Sequence, residues 1–197
     1  MTAGLLLTGG AGRRMGVDKA ELRRDGERLA DRAARVLAAA CDPVLEVGPG
    51  RSSLERVRES TPGEGPLVAL VAGAEALGVR GYDGPVFLLA VDLPFVEPPL
   101  LRWLADRPGA GTVVPVAGNE PQPCCARYST EAVAVAGNLV ARGERSLRAL
   151  LRATPVHLAA EDEWSPVAPI TSLDDVDTPA DAARLGLDVP NGAADPG

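Results

Sequence analysis

Near the N-terminus, the stretch Thr8-Gly9-Gly10-Ala11-Gly12-Arg13-Arg14-Met15-Gly16-Val17-Asp18-Lys19 gathers residue types that bind phosphate. Its glycines let backbone N–H groups approach an anion, and Arg13, Arg14 and Lys19 supply positive charge. Of the chain's 20 basic residues, 19 are arginine and one is Lys19. A planar guanidinium does not occupy the place of a compact ammonium, so the single lysine marks a position where a point charge is required. Spacing excludes two familiar phosphate loops. A Walker loop needs lysine directly after its last glycine and then Ser or Thr, whereas Val17 and Asp18 intervene and Ala20 follows. The dinucleotide fingerprint fails because Met15 holds the third glycine position.

A second group capable of chemistry is Asp92, at the end of the apolar run Pro85-Val86-Phe87-Leu88-Leu89-Ala90-Val91 and two residues before Pro94. Open α/β sheets bind ligands outside the carboxyl ends of their strands. Asp92 and the glycine-rich loop, which follows the apolar Leu5-Leu6-Leu7, are therefore expected in one crevice. Lys19 and Asp92 should face each other across a gap sized for a triphosphate. The alternative is that Asp92 only starts a turn before Pro94. Cys41, Cys124 and Cys125 have neither metal-ligand spacing nor an even disulfide set, and are expected to be reduced core residues. His157, the only histidine, lies in the apolar run Val156-His157-Leu158 and is expected to be structural, with the burial usual for such a residue.

The elements that must position these groups follow from periodicity. Short apolar runs near residues 4–8, 44–47, 85–91, 112–116, 122–128 and 156–159 alternate with helical patterns over 27–40, 66–77, 98–106 and 130–152, the last split by Gly143. The segment 51–63 carries no clear signal. Pro66 suits the first turn of a helix ending near Gly78, and Thr178-Pro179 opens a last helix. This predicts a three-layer α/β/α, Rossmann-like fold with a mostly parallel sheet of about seven strands. One domain is expected over residues 1–188, with a disordered tail over 189–197. The net charge of -7 argues against a nucleic-acid or membrane surface, so an anionic ligand must be drawn by a local site. A soluble cytosolic protein, monomer or weak dimer, is expected.

The residues resemble the molybdenum cofactor guanylyltransferases, within the wider nucleotidyltransferase group, over nearly the whole chain. The strongest element is the opening pattern matched by Leu7, Gly9, Gly10, Arg14, Met15, Gly16, Asp18 and Lys19. Weaker elements are Gly65-Pro66-Leu67, Asp92 to Pro94, Gln122-Pro123, Gly143-Glu144-Arg145-Ser146 and Asp177-Thr178-Pro179. The resemblance implies Mg²⁺-dependent transfer of GMP from GTP to the terminal phosphate of molybdenum-bound molybdopterin, releasing pyrophosphate. It makes Arg14 and Lys19 the phosphate clamp and Asp92 the Mg²⁺ ligand and catalytic carboxylate. Leu7, Thr8, Gly9 and Gly10 would line the nucleotide, with Lys19 and Asp92. Glu59, where the family usually has Asp, would accept from guanine, or else is an exposed surface residue.

The chain departs from the family at Asp175 and Asp177, which replace amides by carboxylates that only accept hydrogen bonds. Asp177 becomes either a second metal ligand or part of the cap of the last helix. Arg14 also has an alternative, a surface pair with Asp18. Gln122, Arg145 and Ser146 are expected to border the acceptor pocket. Two other functions compete: a sister nucleotidyltransferase using CTP with the same pterin or a sugar phosphate, and a nucleotide-binding module without chemistry.

Overall fold

A computed structural model of the protein describes residues 2–9, 15–58, 63–109 and 111–190. The first leucine run forms β1 (Ala3–Leu7), buried along its whole length. The turn Asp25-Gly26, with φ of 52° and 83°, joins β2 (Arg23–Arg24) to β3 (Glu27–Arg28) in a small ribbon. Two successive residues at positive φ are what a tight two-residue hairpin requires, and Asp-Gly supplies them at little strain. The helix expected over 27–40 therefore starts two residues later, as α1 (Leu29–Ala38).

β4 (Val44–Val47) follows as expected. The segment without a clear signal contains β5 (Glu55–Val57), a short and mostly exposed strand at the sheet edge. α2 (Pro66–Val79) begins with Pro66 at its first turn but runs through Gly78. Its stop is Gly81, at φ 80°, after Arg80 and Tyr82 have each donated to the carbonyl of Leu77. β6 (Val86–Ala90), α3 (Pro98–Ala105) and β7 (Thr112–Ala117) come next, and β7 folds back through β8 (Glu120–Pro121). β9 (Cys125–Tyr128) leads to α4 (Thr130–Ala141), capped by the Ser129 hydroxyl, and then to α5 (Leu147–Ala153) beyond Gly143. The chain ends its described course with β10 (Val156–Ala159), the single turn α6 (Glu161–Trp164) and α7 (Pro179–Arg184).

The sheet order is β10-β7-β9-β6-β1-β4-β5, with β8 attached to β7. β9 runs antiparallel to both of its neighbours, and the other pairs along that path are parallel. Alternate residues of the central strands serve opposite faces, as a pleated sheet demands. Leu6, Phe87 and Leu89 pack with α1 and α3, whereas Leu5, Leu7 and Leu88 pack with α2, α4 and α5. The result is the expected three-layer α/β architecture. Gly73 of α2 lets that helix sit close, since a Cβ there would lie 2.4 Å from Leu5 Cδ1.

Cys41 and Cys125 are buried and Cys124 partly so, and all three are free thiols. Burial pushes the thiols of Cys41 and Cys124 up to about 12, so both stay protonated at neutral pH. Only the burial expected for His157 needs correction. Its side chain is 46% exposed, 3.1 Å from a Glu163 carboxylate oxygen and 3.4 Å from the Arg107 guanidinium. The reason is topological: β10 is an edge strand, and an apolar sequence there does not guarantee cover.

Candidate active site

Leu7 stands in register with Val47 on one side and Ala90 on the other, so β1, β4 and β6 end in line. Thr8 N–H donates to the Val47 carbonyl at 3.2 Å, and Val91 N–H donates to the Leu7 carbonyl at 3.0 Å. The loop after β1 and the Asp92 turn after β6 therefore leave the sheet side by side at its carboxyl edge.

Lys19 is presented by a 3-10 turn, Lys19–Glu21, that the Asp18 side chain caps by accepting from Ala20 N–H at 3.0 Å. Its Nζ lies 3.1 Å from Asp92 Oδ2 and 2.5 Å from Asp177 Oδ1. The expected open gap between Lys19 and Asp92 is thus absent. With two carboxylates beside one half-buried ammonium, direct pairing offsets one of the two negative charges, and a ligand must enter next to the cluster or part it. Burial acts to lower the Lys19 pKa, but the charges and hydrogen bonds of Asp92 and Asp177 outweigh it and hold the ammonium above its ordinary 10.5. Asp175 is shifted upward, by desolvation first and then by the negative charges of Asp177 and Asp92.

Beside this cluster opens a cleft of about 290 Å³ lined by Leu7, Thr8, Gly9, Lys19, Asp92 and the start of α2 at Gly65 and Pro66. A helix N-terminus carries partial positive charge and free N–H groups, which suits an anion. Gly65 has φ 104°, and a Cβ there would meet the Arg145 carbonyl at 3.0 Å. The same carbonyl accepts from Leu67 N–H at 3.4 Å, so the segment Gly143–Ser146 abuts the helix start that lines the cleft. Gln122 lies two residues before Cys124, which also lines the cleft. Of the residues singled out from sequence, Leu7, Thr8, Gly9, Lys19, Asp92 and Asp177 come together here. Gly10, Arg14 and Glu59 lie outside the described residues.

The two readings of Asp177 separate. Thr178 caps α7 with its own hydroxyl, accepting from Asp181 N–H at 3.1 Å, while Asp181 accepts from Thr178 N–H at 2.9 Å. That leaves the Asp177 carboxylate on Lys19 rather than on the helix. Asp92 and Asp177 thus aim hard oxygens from two separate turns at one cation, a donor chemistry that fits Mg²⁺, which takes one or two carboxylates plus substrate phosphate and water. Among the described residues, no group of three or more Asp, Glu, His or Cys is arranged to hold a metal alone.

Three residues that support the site went unnoticed in the sequence. Glu46 of β4 is fully buried and is satisfied by Thr8 Oγ1, by Ser52 Oγ at 2.6 Å and by the N–H groups of Gly50, Arg51 and Ser52 at 2.7–2.8 Å. Its one local signal is a carboxylate inside an otherwise apolar strand. Arg24 and Arg32 both donate to the Pro94 carbonyl, at 3.0 and 2.8 Å, and so pin the turn that carries Asp92. Val176 N–H holds the Asp92 carbonyl from the other side at 3.0 Å.

Residues 4–161 match the model of the MobA-like NTP transferase domain. The chain belongs to that family. It is a nucleotidyltransferase, as the opening motif implied. A probable molybdenum cofactor guanylyltransferase of Opitutus terrae is 37% identical over 180 residues, spanning 82% of this chain and 87% of the relative. Another from Chloroflexus aggregans is 30% identical over 194 residues, 92% of this chain and 91% of the relative. Among solved structures, molybdopterin-guanine dinucleotide biosynthesis protein A of Archaeoglobus fulgidus superposes with a TM-score of 0.75 at 22% identity, covering 93% of this chain and 96% of that one. The 2-C-methyl-D-erythritol 4-phosphate cytidylyltransferase of Thermus thermophilus has the same fold, with a TM-score of 0.61 at 18% identity, covering 93% of this chain and 97% of that one. Among the described residues of this MobA-like protein, no helix is long and apolar enough to cross a membrane.

Proposed function

We propose that this MobA-like transferase moves GMP from GTP to the terminal phosphate of molybdenum-bound molybdopterin, releases pyrophosphate, requires Mg²⁺ and works in the cytosol. The observation that carries the reading is the Lys19 ammonium held between Asp92 and Asp177 at the mouth of the cleft, on the carboxyl edge of the sheet. Relatives 37% and 30% identical to this chain bear the guanylyltransferase name, which favours GTP and the pterin as substrates.

The reaction joins a nucleotide α-phosphate to an acceptor that is already ionised. No protein nucleophile is needed, and catalysis rests on alignment and charge neutralisation. Asp92 and Asp177 are the residues that would hold Mg²⁺, whose chemistry would be to offset charge on the phosphates. Lys19 turns its ammonium toward the nucleotide phosphates once they share the cleft, and Arg14 completes the clamp. Backbone N–H groups from Thr8 to Gly10 line the nucleotide beside Leu7. Glu59 accepts from the guanine edge.

Purified protein with Mg²⁺ and each of GTP, CTP, ATP and UTP, with and without molybdenum-bound molybdopterin, tests this by pyrophosphate release. GTP with the pterin should be the productive pair. A clear preference for CTP would replace guanylyl transfer with cytidylyl transfer on the same scaffold, and nucleotide binding without turnover in any combination would make the protein a binding module.

A further inference from the structure

We infer that Glu46 is a positioning residue for the nucleotide site, one that sets both the backbone at Thr8-Gly9 and the turn that presents Lys19. The inference rests on the reading of the cleft as a nucleotide site. Glu46 does not line the cleft; its effect is indirect and runs along two paths.

The first path goes through Thr8. Glu46 Oε1 accepts from the Thr8 hydroxyl, and Thr8 is the residue at which the chain leaves β1 for the cleft. Gly48, two residues after Glu46, packs against the same spot: at φ 146°, a Cβ there would lie 2.6 Å from Thr8 Oγ1 and 2.7 Å from Gly9 N. The backbone that lines the cleft is thus gripped from behind by a carboxylate and a glycine.

The second path goes through Arg51. Oε1 also accepts from Gly50 and Arg51 N–H at 2.8 and 2.7 Å, while Oε2 takes Ser52 N–H at 2.8 Å and Ser52 Oγ at 2.6 Å. The loop so fixed carries the Arg51 guanidinium, whose Nε is 2.8 Å from Asp18 Oδ2. The other oxygen of Asp18 caps the turn whose first residue is Lys19. One buried carboxylate therefore reaches both walls of the site.

The carboxylate form is required. Both oxygens face only donors, and an amide would turn its own N–H₂ against N–H groups on one side. Burial acts to raise the Glu46 pKa, but hydrogen bonds from Ser52, Thr8 and the loop backbone outweigh it and lower it, which keeps the group ionised at neutral pH.

The test uses the full chain, with Mg²⁺–GTP and Mg²⁺–CTP as probes, each variant measured well below its own unfolding temperature. Glu46→Gln should weaken nucleotide binding and raise KM roughly tenfold while kcat falls less, the size expected when a hydrogen-bonded charge is lost. Should that variant not fold, Ser52→Ala removes one donor from a half-exposed loop and should raise KM roughly threefold. A merely structural Glu46 would lower the melting temperature and leave Kd and KM of the folded protein alone. Folded variants that bind either nucleotide within twofold of the unsubstituted protein would overturn the inference. Failure of the unsubstituted protein to bind any nucleotide would instead remove the reading of the cleft, and the inference with it.

Discussion

Replacing Lys19 by arginine keeps the charge and changes only its shape, so it isolates what the ammonium contributes. In the resting site Nζ touches Asp92 and Asp177 at 3.1 and 2.5 Å, and the lysine side chain is only 20% exposed. A guanidinium is broader and longer, so its donors cannot meet both oxygens from the same backbone position. The charge survives, and with Asp177 49% exposed and solvent screening the pairs the change costs ~1 kcal/mol, so Lys19→Arg should shift the melting temperature by about 4 °C or less. Turnover is far more sensitive, because a displacement of ~1 Å at a reacting group costs on the order of 100-fold, or about 2.7 kcal/mol of transition-state stabilisation. The assay is pyrophosphate release with GTP and molybdenum-bound molybdopterin, run alongside thermal unfolding. A roughly 100-fold fall in kcat/KM with nearly unchanged unfolding is expected. Turnover within threefold of the unsubstituted protein would refute the claim that this position needs a compact cation.

Three further outcomes follow from the geometry. Asp92→Asn should reduce turnover by roughly 10²–10³-fold, the scale seen when one source of transition-state charge stabilisation is lost, here the Mg²⁺ that Asp92 would hold, while GTP still raises the melting temperature. Gly48→Ala forces a Cβ into Thr8 and the Gly9 backbone and strains a positive φ; about 2–4 kcal/mol of stability should go, seen as a fall of roughly 5–15 °C. The Glu46 pKa is lowered in the folded state, so its contribution to stability is complete above the ordinary value of 4.5 and is lost as pH falls through the lowered one. The acid limb of a melting-temperature profile should therefore be shallower in Glu46→Gln, and an unchanged limb would contradict that assignment.

Local pattern carried much of this structure. β1 and β6 were legible because continuous apolar runs are what a strand covered on both faces needs, and their carboxyl ends then placed Lys19 and Asp92 at one edge. Thr178 was legible as a cap because its hydroxyl acts within its own turn. What stayed hidden depends on partners far along the chain. Arg24 and Arg32 matter through Pro94, about 60–70 residues away, and nothing in their own neighbourhood reports it. The exposure of His157 follows from the place of β10 at the sheet edge, which its apolar neighbours do not reveal. The Asp25-Gly26 hairpin was readable from its dipeptide, but the amphipathic helix beginning at Leu29 masked it.

The pairing of Lys19 with Asp177 spans 158 positions, and Arg23 and Asp188 exchange both of their backbone hydrogen bonds across a similar span. During synthesis on a ribosome, the glycine-rich loop and Lys19 emerge long before the second carboxylate of the cluster. Loop closure over such a distance is entropically costly and comes late. A growing chain thus holds its lysine on Asp92 alone until Asp177 has left the exit tunnel, so the three-residue cluster is complete only after that segment has been made.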